Sequence, residues 1–198
     1  MSTDSRVGEV QRETRETSIE VRLDVDGHGT TELATGIRFL DHMLDGMARH
    51  GLLDLTISAR GDLDVDCHHT VEDVGIVLGQ ALAAALGDRR GIRRYGEATV
   101  PMDEALVQVV LDLSGRPYFA SDLDLPAERL GDLEVETAAE LLRGLATAGG
   151  MNLHVRQLAG ANTHHILEAT FKALGRALDA ATRIDGRQEG IPSTKGVL

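Results

Sequence analysis

One cysteine, Cys67, and no tryptophan are found in this chain of 198 residues. A lone cysteine excludes a disulfide framework and a cysteine-rich zinc site. Aromatic residues make up 3% of the chain, too few for the stacking platforms that hold single-stranded nucleic acid. Basic side chains are also outnumbered, 20 against 32 acidic ones, for a net charge of −12 with histidine neutral. Such a surface lacks the positive charge that nucleic acid binding requires. No uncharged apolar run approaches the ~20 residues needed to span a membrane. The polar start Met1–Gln11 has no apolar core of a secretory signal, so the expected location is the cytoplasm. Low-complexity tracts are missing too. With 42% of positions hydrophobic, the expectation is one folded domain, or two small halves packed as one.

Lysine is the scarcest cation: Lys172 and Lys195 are the only two among the 20 basic side chains. A compact ammonium is not interchangeable with a planar guanidinium, so positions that keep lysine against an arginine background are candidates for function.

Hydrophobic periodicity predicts the same order of elements twice. Thr17–Val25 alternates and is followed by a turn at Asp26–Gly29 and a return over Thr30–Thr35, read as a hairpin. A helix over Phe39–His50, a strand over Leu53–Arg60 and a long helix ending near Gly87 follow. The second half offers strands at Gly96–Met102 and Ala105–Leu113, a helix at Val135–Ala148, a strand at Asn152–Leu158 and a last long helix. The predicted fold is α+β, with internally duplicated ββαβα halves (about 12–92 and 93–185), each a small sheet with helices on one face. A C-terminal tail, 186–198, follows them.

The repeat also carries side chains. His68-His69-Thr70-Val71-Glu72 opens the last helix of the first half, and His164-His165-Ile166-Leu167-Glu168 opens that of the second, 96 residues later. Adjacent histidines on a helix point roughly 100° apart, while the glutamate three or four positions on shares a face with either. Each motif therefore offers one imidazole–carboxylate pair and a second imidazole aimed elsewhere, a pattern suited to sharing ligands between two ions. His42, in the preceding helix, adds another imidazole. Nitrogen and oxygen donors without sulfur favour Mn, Fe, Co, Ni or Zn over Cu(I), and two ions in octahedral coordination suit Mn²⁺ or Fe²⁺ best. A second signal lies in the tail, where Gly190-Ile191-Pro192-Ser193-Thr194-Lys195-Gly196 can give an anion amide, hydroxyl and ammonium donors. Arg94, Arg116 and Lys172 are further candidate cations.

Several segments in order carry a family resemblance. They are Arg12-Glu13-Thr14-Arg15-Glu16-Thr17, Phe39-Leu40-Asp41-His42-Met43-Leu44, Asp66-Cys67-His68-His69-Thr70-Val71-Glu72-Asp73 and Met102-Asp103-Glu104-Ala105. Ser114-Gly115-Arg116-Pro117-Tyr118, His154-Val155-Arg156-Gln157-Leu158-Ala159-Gly160, Asn162-Thr163-His164-His165-Ile166-Leu167-Glu168-Ala169 and Pro192-Ser193-Thr194-Lys195-Gly196 complete the set. From Arg12 to Leu198 the chain resembles the imidazoleglycerol-phosphate dehydratases of histidine biosynthesis. The resemblance implies a hydro-lyase that converts imidazole glycerol phosphate to imidazole acetol phosphate. It also implies two Mn²⁺ per active site and a homo-oligomer of 24 subunits with sites between chains. By position, His42, His68, His69, Glu72, His164, His165 and Glu168 correspond to metal ligands. Glu16, Arg94, Arg116, Lys172, Ser193, Thr194 and Lys195 correspond to substrate contacts, those around the phosphate being Arg94, Lys172, Ser193 and Lys195.

One position departs from the family pattern. Glu140 stands 24 residues before the second histidine pair, where the family carries a further histidine ligand. Glutamate also binds Mn²⁺, so an exchanged ligand is expected; a lost ligand, or Glu136 in its place, are the alternatives. The implied reaction removes a proton from an ordinary carbon, whose acidity must come from delocalisation into the ring, and a cation on a ring nitrogen favours that. Glu16, Glu168 and Asp103 are the candidate bases. Two other readings use the same residues: a di-metal phosphoester hydrolase, and a metal-buffering shell protein without catalysis. His28, His50 and His154 are assigned structural places, and Cys67 is read as a small packed residue.

Overall fold

A computed structural model describes residues 6–198; residues 1–5 of the polar start lie outside the described residues. The first half comprises β1 (Val7–Glu13), β2 (Thr17–Asp24), β3 (Thr31–Ala34), α1 (Arg38–Gly51), β4 (Asp54–Gly61) and α2 (His68–Leu86). The second comprises β5 (Tyr95–Met102), β6 (Ala105–Asp112), β7 (Tyr118–Ser121), the short hairpin β8 (Arg129–Leu130) and β9 (Leu133–Glu134), α3 (Thr137–Ala148), β10 (Asn152–Ala159) and α4 (Thr163–Thr182). Each half forms a four-stranded sheet, ordered β1-β2-β4-β3 and β5-β6-β10-β7. The fold is α+β and duplicated, as expected, but each half is βββαβα, with the extra β8–β9 hairpin in the second.

The hairpin expected between Thr17–Val25 and Thr30–Thr35 does not form. β2 pairs antiparallel with β1 and β4, whereas β3 runs parallel to β4 on its other side. The turn at Asp26–Gly29 is present, but Asp54 captures it: its Oδ1 accepts from the His28 and Thr30 amides at 2.8 and 2.9 Å. The chain is thereby carried past β4 and returns through α1, a crossover of the kind parallel strands need.

Alternation then decides which face is buried. In β6, Ala105, Val107, Val109 and Leu111 point inward and their neighbours are only half-buried, the pattern of an antiparallel sheet covered on one side. The helices cover those faces. α2 packs on β1 and β2 and α4 on β5 and β6, while α3 lies against α2 and α1 against α4. Glycine permits the closest approaches. A Cβ on Gly8 of β1 would lie 1.9 Å from the Ala81 carbonyl oxygen of α2, and one on Gly96 of β5 would lie 1.9 Å from that of Ala177 in α4. Between helices, Gly75 and Gly79 of α2 lie against Leu141 and Leu145 of α3, and Gly175 of α4 lies against Met47 and Gly51 of α1. The paired helices run in the same sense. Each pair joins one helix from each half, so helix starts from different halves lie side by side.

Candidate metal and phosphate sites

Three of the helix starts are held by side chains. Asn162 caps α4, its Oδ1 accepting from the His164 and His165 amides. Asp66 accepts from the His68 amide at 2.8 Å, next to the start of α2. α1 is capped from the other half, where Asp132 in the β8–β9 turn accepts from the Arg38 and Phe39 amides at 2.8 and 3.0 Å. Acceptors at a helix start satisfy its free amides and favour its positive end.

Those starts carry the motif residues. At the α1–α4 corner His42, His164 and Glu168 bring one donor atom each within 4.8 Å of one another. His164 Nε2 is 3.1 Å from Glu168 Oε2 and His42 Nε2 is 3.8 Å from it. Phe39 packs edge-on against His164, with ring centroids 5.2 Å apart. Glu168 has one oxygen free for this cluster because Lys172 takes the other at 2.7 Å. Burial opposes its ionisation, but Lys172 and His164 outweigh this and hold the carboxyl below its usual range.

The second imidazoles turn away, as adjacent helical positions must. His69 Nδ1 lies 3.0 Å from Asp62 Oδ2 and 3.9 Å from Glu16 Oε2 in the β1–β2 turn. His165 Nδ1 lies 2.7 Å from Glu104 Oε2, and its Nε2 is 3.7 Å from Asp103 Oδ2, both in the β5–β6 turn. Hydrogen bonds to these carboxylates raise both histidines above their ordinary value, and His165 draws Glu104 down to about 2. A carboxylate on Nδ1 fixes the tautomer that leaves the Nε2 lone pair free, the usual support behind a metal-bound imidazole. Asp62 had no place in the reading of the sequence, and Glu104 stood in one of the family segments without a role of its own. The imidazole–carboxylate spacing was visible there, but not which acid would fold against it.

At the α2–α3 corner, His68 and Glu72 open α2 beside the first turn of α3, with Cys67 Sγ 3.9 Å from Thr137 Oγ1. Cys67 is buried. Glu140 stands on that turn, and both of its oxygens lie 2.6 Å from Arg143 Nη1. Glu136 is exposed and precedes the helix. The α1–α4 donors are imidazole nitrogens and a carboxylate oxygen converged on one point, and they fit a divalent ion such as Mn²⁺; the α2–α3 corner offers the same donor types, with both Glu140 oxygens turned to Arg143.

The tail lies against one end of the second sheet, where the Gly190 carbonyl accepts from the Gly91 amide at 2.9 Å. Arg93, Arg94, Arg116, Ser193, Thr194 and Lys195 line a cleft of about 760 Å³. Arg94, in the left-handed region at φ 74°, is clasped by Asp112 at 2.6 and 3.0 Å and donates to the Pro192 carbonyl at 2.8 Å, which anchors the tail. Lys172 is elsewhere: it joins Glu168 and approaches Met102 Sδ at 3.7 Å. The two lysines therefore serve different places in one chain. Of the other histidines, His154 lies against Tyr118 on the outer sheet face, and the His28 amide meets Asp54. His50, at the end of α1, is held below its ordinary value by burial and by Lys172 and Arg176.

The sequence model described as imidazoleglycerol-phosphate dehydratase matches residues 35–178. The chain belongs to the imidazoleglycerol-phosphate dehydratase family. A member from Moorella thermoacetica is 59% identical over 194 residues, covering 98% of this chain and 99% of its own. The chloroplastic member from Pisum sativum is 52% identical over 196 residues, covering 98% of this chain and 70% of its own. Solved structures of imidazoleglycerol-phosphate dehydratases agree in fold. The one from Staphylococcus aureus has a TM-score of 0.82 at 36% identity over 90% of this chain and 99% of that one. The one from Pyrococcus furiosus, in complex with (S)-C348, has a TM-score of 0.82 at 39% identity over 96% and 100%.

Proposed function

We propose that this chain dehydrates imidazole glycerol phosphate to imidazole acetol phosphate in histidine biosynthesis, as a Mn²⁺-dependent hydro-lyase of the cytoplasm. Dehydration and pathway follow from the family. Metal dependence rests on one observation above all, the convergence of His42, His164 and Glu168 on a single point. His42, His164 and Glu168 would hold one ion, and His68, Glu72 and Glu140 a second. The lone pairs of His69 and His165 are left for completing such sites. A bound divalent ion supplies Lewis acidity, which favours the anionic form of an azole ring.

The chain's own groups divide the remaining work. Arg116, Ser193, Thr194 and Lys195 bind the phosphate, with Arg94 holding the tail that carries three of them. Binding at that remote end positions the reacting carbon. Glu168, ionised and clasped by Lys172, is better suited to ligation than to taking a proton. Glu16, exposed on its turn beside His69, and Asp103, beside His165, are placed to move the proton, and Glu16 is the first choice as base.

Three donors fall short of the six of an octahedral Mn²⁺ site. Outward-facing imidazoles on the same chain support completion by neighbouring copies, in the homo-oligomer of 24 subunits that the family resemblance implies. The free Cys67 suits a reducing compartment.

Turnover and metal content, measured together before and after chelation, test the reading. Loss of both, and their return with Mn²⁺, is expected; full activity after exhaustive chelation would refute it. Inorganic phosphate release in place of keto product would favour the hydrolase. A metal-replete chain without turnover would favour the buffering shell protein.

A further inference from the structure

The duplication sets the two corners residue against residue. His164 and Glu168 of α4 correspond to His68 and Glu72 of α2, 96 positions apart, while His42 of α1 corresponds to Glu140 of α3, 98 positions on. One corner thus offers two imidazoles and one carboxylate, the other one imidazole and two carboxylates.

Their cations differ as well. Lys172 at the α1–α4 corner grips only Oε1 of Glu168, leaving Oε2 turned to His42 and His164. The residue corresponding to Lys172 at the other corner is Ile76, which has no charge. There the cation is Arg143, on the same helix as Glu140. Its Nη1 meets both oxygens of Glu140 at 2.6 Å, and its guanidinium lies 5.7 Å from the Phe119 ring centroid. In α1 the position corresponding to Arg143 is Asp45, which is engaged by Thr31 and Arg49, so His42 has no such competitor.

We propose that Glu140 and Arg143 make the α2–α3 corner a metal position of a different kind, oxygen-rich and closed until an incoming ion displaces Arg143 from Glu140. This rests on the two-metal reading and adds that the two ions are chosen differently. Carboxylate-rich sets favour Mn²⁺ relative to Co²⁺ or Zn²⁺, whereas imidazole-rich sets shift the preference towards the latter. The α1–α4 corner is assembled beforehand; the α2–α3 corner must exchange an internal ion pair for the metal. That pair is partly exposed, with side-chain exposures of 27% for Glu140 and 54% for Arg143, so its hold is modest and reversible.

The test is calorimetric titration of the metal-stripped, full-length protein with Mn²⁺ and with Co²⁺, the stoichiometry checked by elemental analysis. The wild-type chain should show two classes of site with different Co²⁺-to-Mn²⁺ preference. Glu140→His should raise that preference roughly tenfold in one class and leave the other unchanged. Arg143→Met keeps an unbranched apolar stem but removes the guanidinium, and should tighten Mn²⁺ in that same class about two- to fivefold. Two classes of equal preference, a Glu140→His titration matching wild type, or an unchanged Mn²⁺ affinity in Arg143→Met would each overturn the inference while leaving two metals in place. A chain that binds neither ion would instead overturn the two-metal reading itself.

Discussion

Arg89 ties the end of the first half to three carbonyls of the second. It follows α2 in the left-handed region at φ 61° and is 8% exposed. Its guanidinium donates to the carbonyls of Leu113, Gly150 and Gly149 at 3.0, 3.1 and 2.9 Å. Gly149 ends α3, so a cation sits at that helix's negative pole. Arg89→Ala removes this donor from the Leu113 and Gly149 carbonyls; Gly150 keeps the Gly115 amide at 2.8 Å. An unsatisfied buried carbonyl costs about 1–3 kcal/mol. Burial disfavours the charged guanidinium and lowers its pKa, which offsets part of that loss. A net destabilisation of about 3 kcal/mol is expected, or a Tm lower by roughly 6–12 °C for a chain of this size. Urea unfolding followed by circular dichroism measures it. Arg89→Gly should be milder than Arg89→Ala by about 1 kcal/mol, because glycine accepts the left-handed conformation freely. A loss below about 1 kcal/mol in Arg89→Ala would refute the argument that these carbonyls depend on the guanidinium.

Gly8→Ala and Gly96→Ala should each cost about 1–3 kcal/mol in urea unfolding, since both place a Cβ 1.9 Å from a helix carbonyl; a neutral result at either would refute that close approach. Asp26, hydrogen-bonded by Arg6 at 2.6 and 2.8 Å, titrates below its usual 3.8 despite partial burial. Its contribution, under ~1 kcal/mol, is therefore complete above the unfolded value and lost as pH falls through the folded one. Asp26→Asn should flatten the stability–pH curve in that acid window and nowhere else. Lys195→Ala should raise KM for the phosphorylated substrate while metal content by elemental analysis stays at the wild-type level; an unchanged KM, or a loss of metal, would refute its role as a phosphate contact.

What the sequence revealed depended on how local the cause was. The long helices α2 and α4 were legible because their stripes and paired motifs lie within a few turns. β1 was missed: its pattern Val7–Glu13 is half polar and includes Gly8, whose use emerges only once α2 lies across it. The turn at Asp26–Gly29 was read correctly, but its strand partner was not, since Asp54 makes that choice from 26 positions beyond His28. For the same reason, His42 was assigned to no particular motif. The sequence places it before the first motif, and packing of α1 on α4 delivers it to the second. Lys172 and Lys195 were legible as exceptions among arginines, but their separation into a clasp on Glu168 and a place in the tail cleft was not.

Because α1 meets α4 and α3 meets α2, every corner borrows a helix across the midpoint of the chain. Cutting the backbone near Arg90 would yield fragments that each retain a sheet, the second keeping the whole tail cleft, yet neither would own both helices of a corner, and catalysis could return only when the severed partners rejoin. A half-length version of this architecture would face the same constraint, needing a twin to bring the counterpart of His42 beside those of His164 and Glu168; one continuous chain makes that encounter built-in.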